Sequence, residues 1–187
     1  MNKIKECGVV RVITGTARGR VLKTLSGDAT RPTTGKVKEA IFSSIQFELE
    51  GRRVLDLFAG SGGMGIEALS RGASHAVFVD ASSAAASVVR ENLQTTGFTH
   101  NSVVLCRKGE DFLLTCKEEF DVVFLDPPYG AHLIPELLPT LLSHLSDYAV
   151  VVCEHAASTP LPESFGDFKA GKMKKYGTIA VTIYRKR

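Results

Sequence analysis

The sequence predicts an α/β protein with a parallel sheet covered by helices on both faces. Two observations carry that reading. Short, nearly continuous apolar runs alternate with helix-periodic segments from residue 53 onward, the pattern of strands buried on both faces. A glycine-rich segment also follows the first of these runs and opens the first of these helices. A closing antiparallel strand pair would make the sheet mixed. No linker is rich enough to separate two large domains. The division expected is an extension over residues 1–35 and one α/β domain over residues 36–187.

In chain order, Val9–Ile13 and Arg20–Leu25 read as two strands around Gly15–Gly19, an N-terminal hairpin. Residues 26–32 read as a loop. Val37, Ala40, Ile41, Ser44, Ile45 and Leu49 follow helical spacing. Arg53–Phe58 reads as a strand, followed by a glycine loop and a helix to about Arg71. Ala76–Asp80 is the next strand, with a helix from about Ser82 to Thr96. Ser102–Cys106 is a third strand, with a short helix after it, and Phe120–Leu125 a fourth. A helix over 133–145 precedes the strand Tyr148–Cys153. Residues 168–185 read as a strand pair hinged near Gly177.

The 187 residues carry a net charge of +3 that conceals a strong asymmetry. Residues 1–40 hold nine Lys/Arg against three Asp/Glu, and residues 169–187 hold seven against none. The remaining centre holds 7 Lys/Arg and 17 Asp/Glu, a net of −10. Basic ends around an acidic centre suggest a nucleic-acid partner, with solvated surface lysines as the plain alternative. No apolar run of about 18 residues exists, so no membrane span is expected, and the start leads into no secretory apolar region. Cys7, Cys106, Cys116 and Cys153 form no pairing framework, which favours reduced thiols in a cytoplasm. The five histidines lack zinc spacing. Cys153-Glu154-His155 alone makes no metal site, so no metal is expected.

Gly60-Ser61-Gly62-Gly63-Met64-Gly65 fits G-x-G-x-x-G between a strand and a helix. Asp80 ends the next strand, where a carboxylate can accept hydrogen bonds from both hydroxyls of a ribose. A nicotinamide dinucleotide and S-adenosylmethionine both place a ribose over such a loop. Asp56, just before the loop, would repel a pyrophosphate and favour a cationic aminopropyl or sulfonium group.

Asp126-Pro127-Pro128-Tyr129 ends the fourth strand and so lies at the same sheet edge as the loop and Asp80. Prolines stiffen this turn and lack N–H groups. An exocyclic amine on a base is a poor nucleophile because its lone pair is delocalised. The Asp126 carboxylate and the Pro127 carbonyl can hold both of its N–H groups, orient it, and stabilise the charge that builds on it. Tyr129 can stack on the base face. This chemistry needs no metal.

These residues resemble a known family. Asp56-Leu57-Phe58-Ala59-Gly60-Ser61-Gly62 and Asp126-Pro127-Pro128-Tyr129 resemble class I S-adenosylmethionine-dependent methyltransferases acting on exocyclic amines. Arg11–Gly15, Arg18-Gly19-Arg20 and Arg31-Pro32-Thr33-Thr34, with Val37, Glu39 and Phe42, narrow the resemblance. It is to the bacterial RNA small-subunit methyltransferase D family, and runs from about residue 10 to the end through Tyr176-Gly177-Thr178 and Tyr184. The resemblance implies a Rossmann-like class I fold with a seven-stranded, mostly parallel sheet whose last strand is antiparallel. It implies methyl transfer to N2 of one guanine in 16S rRNA, in a partly or fully assembled small subunit in the cytoplasm.

For the cofactor, the resemblance implies contacts from Asp56, Phe58, Gly60, Ser61, Gly62, Asp80, Ala81, Gly109 and Glu110. It implies that Asp126, Pro127, Pro128 and Tyr129 engage the guanine. Relatives carry Asp or Asn before a small residue at the third strand end, where this chain reads Lys108-Gly109-Glu110. Either Glu110 substitutes, or backbone groups and apolar packing hold the adenine. Arg18, Arg20 and Arg31 are the candidate RNA contacts. The rival readings are an adenine-N6 methyltransferase on DNA or RNA, a non-catalytic RNA-binding assembly protein, and an NAD-dependent reductase.

Overall fold

The computed structural model describes residues 10–25, 35–127 and 133–186. Arg31, Pro128, Tyr129 and Cys7 lie outside them. Among the described residues, helices α1 (Gly35–Ser44), α2 (Gly63–Ser70), α3 (Ser83–Thr96), α4 (Gly109–Thr115) and α5 (Leu133–Leu141) accompany nine strands. These are β1 (Arg53–Leu57), β2 (His75–Asp80), β3 (Ser102–Cys106), β4 (Phe120–Leu125) and β5 (Leu145–Ala156), then β6 (Ser164–Phe165), β7 (Phe168–Ala170), β8 (Lys174–Tyr176) and β9 (Ile179–Lys186).

The sheet order is β3-β2-β1-β4-β5-β9-β7-β6, with β8 pairing β9 off this path. β1 to β5 are mutually parallel, while β9 pairs antiparallel with β5, β7 and β8. The expected parallel core with an antiparallel last strand is therefore present. The path to β7 holds seven strands, and the two-residue β6 and three-residue β8 raise the count to nine. The hinge near Gly177 is the β8–β9 turn, where Gly177 has φ +66°.

Period-two alternation sorts each strand between two cores. Val54, Phe78, Phe124, Val152 and Val181 pack with Ile41 and Phe42 of α1 and with α2 and α3. Leu55, Val77, Val123, Val151 and Tyr184 pack on the other face with α4 and α5. Strands buried on both faces are apolar at most positions, which is why they read as nearly continuous runs, with Asp56 in β1 an exception.

Some boundaries differ from the expected ones. The N-terminal hairpin is present but short: an Arg11–Val21 bridge flanked by Val12 N to Arg20 O at 3.0 Å, Leu22 N to Val10 O at 2.9 Å and Gly19 N to Val12 O at 2.8 Å. Its other backbone N–H groups turn to side chains of α2 and α3. Ile13 N and Thr14 N donate to Glu67 at 2.7 and 2.9 Å, Ala17 N donates to Ser70 Oγ at 3.0 Å, and Lys23 N donates to Asn92 Oδ1 at 2.8 Å. Helix α1 ends at Ser44, whose hydroxyl bonds back to the Ala40 carbonyl, and the apolar spacing continues through a turn that still buries Ile45 and Leu49. Helix α5 stops at Leu141, and a 3-10 turn leads into β5 three residues earlier than expected.

Glu67 has no solvent exposure, and Lys38 Nζ lies 3.0 Å from its carboxylate. Arg71 Nε adds a bond at 2.8 Å. Burial opposes the charge on Glu67. Lys38, the Ile13 N–H and Arg71 more than offset it, so the carboxyl titrates below its usual range. Glu67→Ala would leave a buried ammonium and two backbone N–H groups without their acceptor. The expected loss is about 3–5 kcal/mol, read as a lower melting temperature with new proteolytic cleavage in residues 10–25. Glu67→Gln should lose less, because it keeps an acceptor.

Candidate active site

A cavity of about 640 Å³ opens at the carboxyl edge of β1, β2 and β4. That size falls within the range of about 300–1,000 Å³ usual for small-molecule sites. One wall is the β1–α2 loop with Phe58, Ala59, Gly60 and Ser61. A second is the end of β2 with Asp80, Ala81 and Ser82, and a third is Lys108-Gly109-Glu110 at the start of α4. Asp126 and Pro127 close it beside Leu133, and Val10, Thr24 and Leu25 of the N-terminal segment cover it.

The β1–α2 loop is held in an unusual conformation. Phe58 has φ +71°, a region L-residues with a Cβ avoid, at a cost of about 1–2 kcal/mol. Two bonds to one acceptor fix it there: Phe58 N and Ala59 N both donate to the Val79 carbonyl, at 2.9 and 3.1 Å. The continuous strand reading through Phe58 gave no sign of this turn. Gly62, at φ +77°, lies outside the cavity lining and packs beneath the loop against Ile66 and Val89, so it shapes the turn. Gly65 lets α2 approach the sheet. A Cβ there would meet the Phe78 ring at 2.4 Å.

Asp80 and Asp56 are both tied to this loop. Asp80 Oδ2 accepts from Gly60 N at 2.9 Å and Oδ1 accepts from Ser82 N at 2.8 Å. These bonds fix the carboxylate at the cavity wall, and each oxygen retains further acceptor capacity. Asp56, 3% exposed, accepts from Gly65 N at 2.8 Å and also lines the cavity. Burial pushes its carboxyl up to about 7, with the Gly65 bond and Lys38 opposing the shift and Asp80 adding to it.

Of the residues singled out by sequence, the structure gathers Asp56, Phe58, Gly60, Ser61, Asp80, Ala81, Gly109, Glu110, Asp126 and Pro127 around one cavity. Arg18 and Arg20 are exposed on the N-terminal turn, away from that lining. Cys153 is buried in the core beside α4 and α5. The His155 ring bonds Thr182 Oγ1 and the Ala156 and Thr159 carbonyls. Among the described residues no group of three or more His, Cys, Asp or Glu side chains is arranged to hold a metal. No helix in them is long and apolar enough to cross a membrane.

Sequence reasoning missed two residues. Lys38 reads as one more lysine of a surface helix, yet it is buried, lines the cavity and pairs with Glu67. Asn92 reads as a polar position of α3, yet its Nδ2 donates to both the Lys23 and Ser61 carbonyls, at 2.9 and 2.8 Å. It fastens the N-terminal cover to the glycine loop. Only a full helical-face analysis pairing α1 with α2, and α3 with the N-terminal segment, would have pointed to them.

The family model described as Conserved hypothetical protein 95 matches residues 10–185. Ribosomal RNA small subunit methyltransferase D of Haemophilus influenzae is 34% identical over 185 residues, covering 95% of this chain and 94% of that protein. The chain belongs to the ribosomal RNA small subunit methyltransferase D family. Its similarity to YlbH of Bacillus subtilis, provisionally named an rRNA methyltransferase, is 44% identity over 183 residues, covering 95% of this chain and all of that one. Among solved structures, yhhF of Escherichia coli, provisionally named a methyltransferase, matches this member of the family with a TM-score of 0.84. The two share 30% identity, over 96% of this chain and 99% of that one.

The raised Asp56 carboxyl sets a pH dependence. It titrates near 7 in the folded protein against an ordinary value of 3.8, so the folded protein holds this proton more tightly. The resulting stability is full below about pH 4 and is lost as pH rises through 7. Asp56→Asn cannot ionise. In ligand-free protein its melting temperature relative to the parent should therefore climb between pH 5 and pH 8. A gain on the order of 1 kcal/mol corresponds to about 2–4 °C for a chain this long. A difference that stays flat with pH would count against a buried, strained charge at Asp56.

Proposed function

We propose that this chain transfers a methyl group from S-adenosylmethionine to the exocyclic N2 of one guanine in 16S rRNA, within the small ribosomal subunit. One observation carries the reading: the amine-binding candidates Asp126 and Pro127 line the same cavity as the loop and Asp80 that would hold the donor.

The residues fit the donor. S-adenosylmethionine is cationic at its sulfonium and amino groups, and the cavity is lined by Asp56, Asp80, Glu110 and Asp126. When bound, it supplies a sulfonium-activated methyl group. Asp80, fixed by Gly60 and Ser82, has acceptors for two ribose hydroxyls. Phe58, Ala81 and Lys108-Gly109-Glu110 surround the place for the adenine. Asp56 and the glycine loop receive the charged amino-acid end. The negative charge of Asp56 is favoured there by a cation, which offsets the cost of its burial.

Asp126 and Pro127 act on the substrate. The carboxylate and the proline carbonyl accept the two amine N–H groups, so the nitrogen lone pair is turned toward the donor side of the cavity. As positive charge builds on that nitrogen, the Asp126 carboxylate stabilises it. As the N–C bond forms, the methyl group's bond to sulfur would break with its electron pair left on the sulfur, and the surplus proton would then pass to Asp126 or to water, so no strong base is required. The N-terminal cover formed by Val10, Thr24 and Leu25 helps exclude water from the cavity.

A crossed pair of variants tests this assignment on small subunits from cells lacking the gene. Asp126→Ala should keep its affinity for S-adenosylmethionine by calorimetry and lose methyl transfer by a factor of about 10² or more. Asp80→Ala should instead weaken donor binding. Full transfer by Asp126→Ala, or unchanged donor affinity in Asp80→Ala, would contradict these roles.

A further inference from the structure

Residues 169–187 hold seven Lys/Arg and no acid. The fold sorts them between two edges of the sheet. Because β9 runs antiparallel, Arg185 and Lys186 finish at the amino edge of the parallel strands. There Arg185 pairs with Glu48 at 2.7 Å and Lys186 with Asp147 at 2.6 Å. Arg52 and Arg53, at the same edge, pair with Asp121 and Glu118. Lys117 and Lys169 on that side are exposed and join no ion pair among the described residues. The carboxyl edge is different. Lys172, Lys174 and Lys175 are all exposed, and no ion pair among the described residues involves them.

Register puts Lys174 level with the site. Leu125 is opposite Cys153, Glu154 opposite Val181, and Val181 opposite Lys174. Lys174 therefore sits at the level just beyond Leu125, where Asp126 follows. Three strand spacings separate them, about 14 Å. The face of Lys174 agrees as well, while Lys175, the next residue of this edge strand, leaves from its other face. Val181 and Phe124 belong to the core beneath α1, and Lys174 Nζ donates to Ser44 Oγ of α1 at 3.1 Å. Arg18 and Arg20 lie on the other flank, on the segment docked to α2 and α3. The acidic cavity between the flanks repels phosphate, so RNA reaching Asp126 needs cations on both sides.

We propose that Lys172, Lys174 and Lys175 form a second RNA-backbone contact, which holds phosphates on the far side of the base presented to Asp126. The proposal rests on the RNA-methyltransferase reading above. The test is equilibrium binding to small ribosomal subunits from cells lacking the gene, measured across salt concentrations. Lys174→Gln/Lys175→Gln should reduce the log–log salt slope by about 1.4–1.8, at roughly 0.7–0.9 per lost phosphate contact. It should raise KM for the particle and leave kcat and donor affinity unchanged. Lys117→Gln/Lys169→Gln removes the same charge from the opposite edge and should leave the slope unchanged. Equal slopes in all three proteins, or equal losses in both variants, would overturn this surface while the function stood. A parent protein that neither bound nor methylated the particles would overturn the functional reading and this surface with it.

Discussion

A parallel sheet brings the carboxyl ends of its strands to one edge, and the two-residue pleat decides which face each side chain takes. The site depends on that constraint. Asp56 shares a face with Val54, Asp80 with Phe78, and Asp126 follows Phe124 by two residues, all toward α1, α2 and α3. Asp56 is in register with Phe78 and Phe124, so Asp80 and Asp126 belong about 7 Å further along. One cavity is therefore lined by carboxylates at two depths. A one-residue slip in any of these strands would send its carboxylate into the opposite core.

The second requirement is a cover for that cavity. The N-terminal hairpin has a short ladder of its own, and α2 and α3 supply further acceptors for its backbone. Glu67 receives two of its N–H groups, the Lys38 ammonium and Arg71, so an ionised group is buried with its hydrogen-bonding capacity used. Asn92 passes the same attachment on to Ser61 in the glycine loop. The segment that carries Arg18 and Arg20 is thus joined by Glu67 to α2 and by Asn92 to the loop that shapes the cavity.

The parallel core was legible because burial on both faces makes most strand positions apolar. The loop was legible because its glycines stand between a strand and a helix, and Asp80 because it ends the next strand. Lys38 and Glu67 were not, since each looks like the solvent face of its own helix and only their mutual pairing allows burial. Phe58 was not, because its positive φ is imposed by the Val79 carbonyl of a neighbouring strand. β6 and β8 are too short to show a period. The expected hairpin is present but short, because side chains distant in sequence take its other N–H groups. Pro128, Tyr129 and Arg31 fall outside the described residues, so the stacking and basic contacts assigned to them rest on the sequence alone.

The central claim is that this cavity methylates a guanine amine in ribosomal RNA. Nucleoside mass spectrometry of 16S rRNA from cells with and without the gene tests it most directly. Loss of N2-methylguanine at one site, with restoration by the parent gene, is the expected result. Unchanged N2-methylguanine, or loss of N6-methyladenine in its place, would contradict it.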